Sequence, residues 1–394
     1  MSLNNTPSSE RLHIGFFGMR NAGKSSLVNA VTGQSLSLVS HIKGTTTDPV
    51  KKAMELLPLG PVVIVDTPGL DDEGILGEMR VKRARDMLSG VHVAVLVVDA
   101  LRGMSDEDNS LAAEIKSRKL PLIIAMNKAD LLGSVPENED NIIYVSAETG
   151  SGINELKEKL ASLSKTAKSD RKILADIVSK NDVVMLVTPI DESAPKGRLI
   201  LPQQQTIREL LEIGAVTIVV QVEEIPTAFD SLRIKPKLVI TDSQAFGRVS
   251  ELVPEDIMLT SFSILFARYK GDLDTVVGGA DKLSHLRDGD RVLISEGCTH
   301  HRQCKDIGTV KLPDWIRKFS GKSLDFTFTS GGEFPDDLSD FALVVHCGGC
   351  TLNENEMKSR LEKCRQQGIP VTNYGTAIAE MNGILRRSLE VFGK

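Results

Sequence analysis

Aromatic residues are scarce in this chain of 394 residues, which carries 12 Phe, 3 Tyr and 1 Trp, 4% of the total. Its cores must therefore be aliphatic, and aromatic platforms for stacking single-stranded bases are not expected. Neither sign of charge dominates: 47 basic residues stand against 53 acidic ones, a net of −6. That balance offers no electrostatic footprint for a phosphate polymer, so no nucleic-acid partner is expected. Long apolar runs are missing too. The longest, 91–98 and 121–126, have the length of buried strands, far short of a bilayer span. The N-terminal stretch MSLNNTPSSERLHIGFFG lacks the charged start and apolar core of a secretion signal. A cytoplasmic protein without a membrane partner is expected. Cysteine is absent until Cys298, and the remaining ones, Cys304, Cys347, Cys350 and Cys364, crowd the last quarter of the chain. An odd number of thiols clustered in a reducing compartment suits metal binding or catalysis better than disulfides.

What is present begins with a phosphate-binding pattern. The apolar stretch LHIGFFG runs into Gly18-Met19-Arg20-Asn21-Ala22-Gly23-Lys24-Ser25 and then into a helical segment starting near Ser26. In that strand-loop-helix context, GxxxxGKS turns backbone amides inward around phosphate oxygens. Lys24 neutralises β and γ charge, and Ser25 offers its hydroxyl to Mg²⁺. A second apolar strand, VVIVD, ends in Asp66, placed to hold Mg²⁺ through water, and is followed by Thr67-Pro68-Gly69. The Gly69 amide can sense a γ-phosphate. Between them lies Gly44-Thr45-Thr46-Thr47-Asp48, where Thr47, with Thr46 close behind, is the expected Mg²⁺ ligand. A third strand ends in Asn127-Lys128-Ala129-Asp130. A carboxylate at Asp130 accepts from N1-H and the 2-amino group of guanine, a pair of donors adenine lacks, so GTP or GDP is the expected nucleotide. A further strand delivers Ser146-Ala147, where a backbone amide meets guanine O6.

With these five elements in order, residues 10–165 resemble a small GTPase of the TrmE/Era class, which implies a Ras-like doubly wound sheet. Leu70 stands where Ras-like enzymes carry the water-orienting glutamine, so slow intrinsic turnover is expected. Asp71, Asp72 and Glu73 offer an alternative carboxylate for that water, although acidic loop residues are most often simply solvated. Asn21 matches the asparagine that helps hold K⁺ in TrmE-like relatives, which implies K⁺-stimulated hydrolysis.

Residues 164–172 (SKTAKSDRK) have the composition of a linker. Beyond it, apolar strands alternating with helical patterns suggest a small α/β domain over 173–262, in which no chemical constellation appears. The last region, 263–394, holds two segments of like grammar: a strand ending in Glu296-Gly297-Cys298-Thr299-His300, and another ending in His346-Cys347-Gly348-Gly349-Cys350. Parallel strands with crossovers bind ligands beyond their carboxyl ends, where three thiols can converge. Spacing alone leaves open an iron-sulfur cluster, a tetrahedral Cys3His zinc site and a redox dithiol. Cys304 and Cys364, the latter on a polar helix, read as bystanders.

The combination of a GTPase head with Cys298-x-His300 and His346-Cys347-x-x-Cys350 resembles the FeFe-hydrogenase maturation GTPases, the HydF family. The resemblance implies a 4Fe-4S cluster on Cys298, Cys347 and Cys350, with His300 and His346 as ligands or as their supports. It further implies a middle domain that forms a homodimer, and a scaffold that takes a di-iron precursor made with the radical-SAM maturases HydE and HydG to apo-hydrogenase. The competing expectation is a TrmE/Era-like GTPase for RNA modification or ribosome assembly, with a zinc-stabilised C-terminal domain.

Overall fold

The computed structural model describes residues 6–34, 50–67, 82, 84–167, 171–190, 199–297 and 307–393. The chain divides into two compact units, Met1–Asp170 and Arg171–Lys394.

In the first unit, strands β1 (Leu12–Phe17), β2 (Val50–Leu56), β3 (Gly60–Asp66), β4 (Val93–Asp99), β5 (Leu122–Asn127) and β6 (Ile142–Tyr144) form one sheet in the order β2-β3-β1-β4-β5-β6. Only the β2–β3 pair is antiparallel. β1 and β4 are almost wholly apolar because both faces of a parallel sheet are covered. Helices α1 (Lys24–Thr32) and α2 (Asp106–Ser117) cross between strands, and α3 (Ile153–Ala167) follows the last of them, β6. The start of α2 is fixed by a capping box between Ser105 and Asp108. Two apolar clusters form the core, one containing Leu27, Val31 and Leu156, the other containing Leu111 and Ile115. The glycine loop, Asp66 and Asn127 all lie at or just beyond the carboxyl ends of β1, β3 and β5, where an open α/β sheet binds its ligand.

The second unit contains two four-stranded parallel sheets. The first joins β7 (Val183–Val187), β8 (Val216–Val220), β9 (Leu238–Thr241) and β10 (Met258–Ser261) in the order β10-β9-β7-β8. Its helices are α4 (Leu201–Ile213), α5 (Ile225–Ser231), α6 (Phe246–Leu252) and α7 (Phe262–Lys270). After α8 (Leu273–Ala280), the second joins β11 (Arg291–Ser295), β12 (Asp325–Thr329), β13 (Leu343–His346) and β14 (Val371–Asn373) in the order β12-β11-β13-β14. Helices α9 (Leu312–Ser320), α10 (Glu354–Gln366), α11 (Tyr374–Met381) and α12 (Leu385–Leu389) complete it.

The two sheets wind alike: the first strand is central, the second lies on one side, and the third and fourth lie on the other. Their last rows correspond, Val187–Thr241–Ser261 in one and Ser295–His346–Asn373 in the other. Each fourth strand ends in a side chain that caps the next helix, Ser261 accepting from the Ile264 amide and Asn373 from the Thr376 amide. One apolar cluster runs through both sheets, from Met185 and Val239 to Leu293 and Val344. β8 is an edge of the first sheet, with Val216 49% and Val219 45% exposed. Among the described residues, no helix is long and apolar enough to cross a membrane.

Candidate functional site

The nucleotide site is built on strand ends. Gly23 precedes α1 with φ +87, and a Cβ there would fall 2.3 Å from Asn127 Nδ2, so glycine is required for the loop to close on the base site. Asn127 is 2% exposed and ties the site together: its Nδ2 donates to the Ala22 carbonyl at 3.0 Å, and its Oδ1 accepts from the Ala147 amide at 3.1 Å. Phosphate loop and base loop are thereby held by one buried amide. Lys24 is buried, and its Nζ donates to the carbonyls of Gly18 at 2.9 Å and Met19 at 2.8 Å, keeping the ammonium inside the loop that the sequence assigns to phosphate.

Ser25 Oγ donates to Asp66 Oδ2 at 3.1 Å. A hydroxyl and a carboxylate side by side at the mouth of the loop form the hard oxygen set that Mg²⁺ takes, so these residues fit that ion. Asn21 has φ +61 and is exposed at the rim, as is Ser26. Asp130 is exposed, with Ser146 buried nearby in sequence to Ala147. Lys128 Nζ meets Asp99 Oδ2 at 2.5 Å. Burial opposes ionisation of Asp99, but the Lys128 hydrogen bond and the Leu101 amide outweigh it and hold the carboxyl below the usual range. Asp99 was not singled out by the sequence, although it ends an apolar strand just as Asp66 does. Thr46, Thr47, Gly69, Leu70 and the acidic trio 71–73 lie outside the described residues.

The thiol site sits at the ends of β11 and β13, whose last residues, Ser295 and His346, are register partners. Gly297 is held at both ends: its amide donates to Cys347 Sγ at 3.0 Å, and its carbonyl accepts from Thr351 Oγ1 at 2.7 Å. The Gly349 amide also points at Cys347 Sγ, at 3.4 Å. Gly349 adopts φ +60, a left-handed conformation that favours glycine, and a Cβ there would also have to displace Met357 Cε, 2.2 Å away. Cys347 and Cys350 are half-buried overall, yet burial of the thiol pushes Cys347 up to about 11 and raises Cys350, the latter opposed by the charge of Lys270. Two amides aimed at one sulfur in an enclosed turn suit a metal thiolate, which binding would deprotonate, so these residues fit an iron-sulfur group.

His346 is 1% exposed, and both ring nitrogens are engaged: Nδ1 lies 2.8 Å from the Cys347 carbonyl and Nε2 lies 3.0 Å from Arg360 Nη1. Burial and the adjacent guanidinium depress its pKa to about 3, so the ring is neutral. Nδ1 then donates and Nε2 accepts. Arg360, itself 4% exposed, also donates to the Gly331 carbonyl, Ser295 Oγ and Glu356 Oε1. Lys270, 2% exposed, donates to the carbonyls of Cys350 at 3.1 Å and Leu352 at 3.0 Å. Neither cation was legible as part of the site, since each is one charge on an ordinary helix. Cys364 is fully buried in the apolar core. Cys298, His300 and Cys304 lie outside the described residues. Among the described residues, no group of three or more His, Cys, Asp or Glu side chains is poised for a metal.

Residues 13–128 match the family model described as 50S ribosome-binding GTPase. Among curated proteins, the tRNA modification GTPase MnmE of Nitrosospira multiformis is 34% identical over 158 residues, covering 38% of this chain and 34% of that protein. GTPase Der of Kosmotoga olearia is 34% identical over 170 residues, covering 38% of each. The chain thus spans about a third of the length of the curated relatives it matches. Among solved structures, the G domain of the T. maritima FeoB iron transporter is 25% identical, covers 39% of this chain and 99% of that one, and has a TM-score of 0.30. Residues 173–271 match the hydrogen maturase F dimerization domain, and residues 274–391 match the hydrogen maturase F tetramerization domain. With both segments beyond the linker matched by domains particular to it, the chain belongs to the hydrogen maturase F (HydF) family and carries a TrmE/Era-class GTPase domain at its head.

Proposed function

We propose that this protein is a GTP-hydrolysing scaffold for FeFe-hydrogenase maturation, which holds a 4Fe-4S cluster on Cys298, Cys347 and Cys350 and delivers a di-iron precursor to apo-hydrogenase. HydE and HydG, as makers of that precursor, are its proposed partners, and a homodimer its working form. The observation that carries the reading is the 3.0 Å contact of the Gly297 amide with Cys347 Sγ. It brings the segment that leads into Cys298 against the Cys347–Cys350 turn. The cluster supplies an iron to which cargo can attach. His346, with both nitrogens engaged, acts in this reading as a support that orients the Cys347 carbonyl, not as a ligand. His300 remains assigned by the family motif alone.

At the other end of the chain, Lys24 and the loop amides bind the β- and γ-phosphates, Ser25 and Thr47 hold Mg²⁺, and Gly69 senses the γ-phosphate. Asp130, Asn127, Lys128 and the Ala147 amide take the guanine. Asn21 assists a K⁺ ion in place of an arginine finger, so hydrolysis is faster in K⁺ than in Na⁺ buffer. An RNA-directed role is the weaker reading, because the model described as a ribosome-binding GTPase matches residues 13–128, whereas both segments beyond the linker match hydrogen maturase F domains.

Anaerobic purification tests the thiol site. The expected product is brown, absorbs broadly at about 400 nm and carries about four irons per chain, all lost in the Cys347→Ser protein. A colourless protein containing zinc would replace the cluster with a structural metal site.

A further inference from the structure

We propose that Lys270 is a positioning residue of the thiol site, which fixes the turn from Cys347 to Leu352 and raises the reduction potential of the iron-sulfur group held there. The inference rests on the cluster reading above and goes beyond it by naming what tunes that group.

Lysine is rarely buried to this depth unless its charge has dedicated partners. Lys270 is the last residue of α7, the helix that follows the fourth strand of the first sheet, and is 2% exposed. Its ammonium donates to the carbonyls of Cys350 and Leu352, in the turn that leads to the Asn353 cap of α10. The same ammonium lies 5.8 Å from the centroid of the Phe266 ring, one turn back on α7. The next residue, Gly271, is pressed against α10: a Cβ there would lie 3.1 Å from Leu361 Cδ1 and 3.6 Å from Met357 Cγ. Met357 is the side chain that also closes over Gly349. Lys270 is therefore held between α7 and the thiol turn, next to the point where Gly271 approaches α10.

Two consequences follow from that placement. Two carbonyls of the turn are anchored to a helix outside the second sheet, so the separation of Cys347 and Cys350 is set in part by α7. In addition, a fixed positive charge beside Cys350 favours the more negatively charged, reduced state of a thiolate-held cluster, which raises its potential. α7 falls within 173–271, the stretch matched to the hydrogen maturase F dimerization domain, so the ammonium that holds the thiol turn is carried by that part of the chain.

The test compares full-length wild type with Lys270→Gln, Lys270→Met and Lys270→Arg, each reconstituted anaerobically with iron and sulfide. Iron content, the midpoint potential from a mediated redox titration followed by electron paramagnetic resonance, and the thermal melt are read on each. Gln keeps a donor without the charge, Met removes both, and Arg keeps both. The expected result is a lower midpoint potential in the Gln and Met proteins, restored by Arg, with Met alone also losing iron. An unchanged potential in an iron-loaded, folded Lys270→Gln protein overturns this proposal and leaves the cluster reading standing. A wild type that takes up no iron brings down both.

Discussion

Asp99 and Lys128 show how a single carboxylate shapes the base site. Lys128 belongs to the segment expected to meet guanine, and its ammonium is held by Asp99 at 2.5 Å. Both side chains are partly exposed, 34% and 21%, so the pair contributes to orientation more than to overall stability. Replacing Asp99 by Asn frees Lys128 to sample rotamers that miss the nucleotide. GDP affinity is expected to fall roughly tenfold, the order of one charge-assisted hydrogen bond, in a titration with fluorescent GDP. The same pair sets a pH dependence. Because the folded Asp99 carboxyl titrates below its unfolded value, the pair's contribution is fully present above an unfolded pKa of about 3.9. It is lost as pH falls through the lower folded value. Thermal melts of wild type and Asp99→Asn are therefore expected to differ most at neutral pH and to converge under acid conditions. Equal differences across that range would remove the ion pair from the account.

Among elements, β8 carries the next expectation. It is an edge strand of alternating Val, Thr and Ile, with Val216 and Val219 exposed and neither Pro nor Lys to blunt it. Unpaired edges of that composition invite a second strand. The exposed Leu211 of α4 adds apolar surface just before it in the chain. The match of 173–271 to a dimerization domain fits such an edge. Val219→Lys is expected to shift the protein from dimer towards monomer in size exclusion with light scattering, without changing its far-UV circular dichroism. A dimer that survives the lysine would move the contact elsewhere.

The same elements show what could be read beforehand. β1, β3, β5 and β7 are legible as apolar runs, because a strand covered on both faces needs no polar alternation. The phosphate loop was legible because its chemistry fixes glycine and lysine at set intervals. β10 and β14 were not, since four and three residues of mixed character give no period to detect. Nor was the likeness of the two sheets, which lives in strand order and register while the residues at corresponding ends, Thr241 and His346, share no chemistry. Cys364 reads as a bystander on a polar helix, and that pattern does not disclose its burial in the core. Its neighbours are indeed charged, but it lies on the stripe of α10 with Met357 and Leu361 that turns to the core.

At the scale of the whole molecule, nucleotide and thiols belong to different units, the first ending at Asp170 and the second starting at Arg171. If GTP governs cargo transfer, the signal has to be a change of state in one unit that alters what the other binds, and it must vanish when the γ-phosphate cannot be engaged. Lys24 is the residue on which this turns: it is buried in the phosphate loop, far along the chain from every cysteine, and held there by two loop carbonyls. Lys24→Ala removes the charge proposed to meet the β- and γ-phosphates while leaving Cys298, Cys347 and Cys350 untouched. Hydrolysis is expected to fall by at least about 10²-fold, the scale of losing one preorganised charge in phosphoryl transfer. Iron content is expected to stay at the wild-type level, because the thiol unit has its own core and its own sheets. The informative measurement is then activation of apo-hydrogenase by the iron-loaded variant, in a reconstituted mixture containing GTP. Loss of activation alongside intact iron would assign the nucleotide to control of delivery. Full activation without hydrolysis would mean that the two ends of the chain work independently, and that the GTPase serves some step other than transfer.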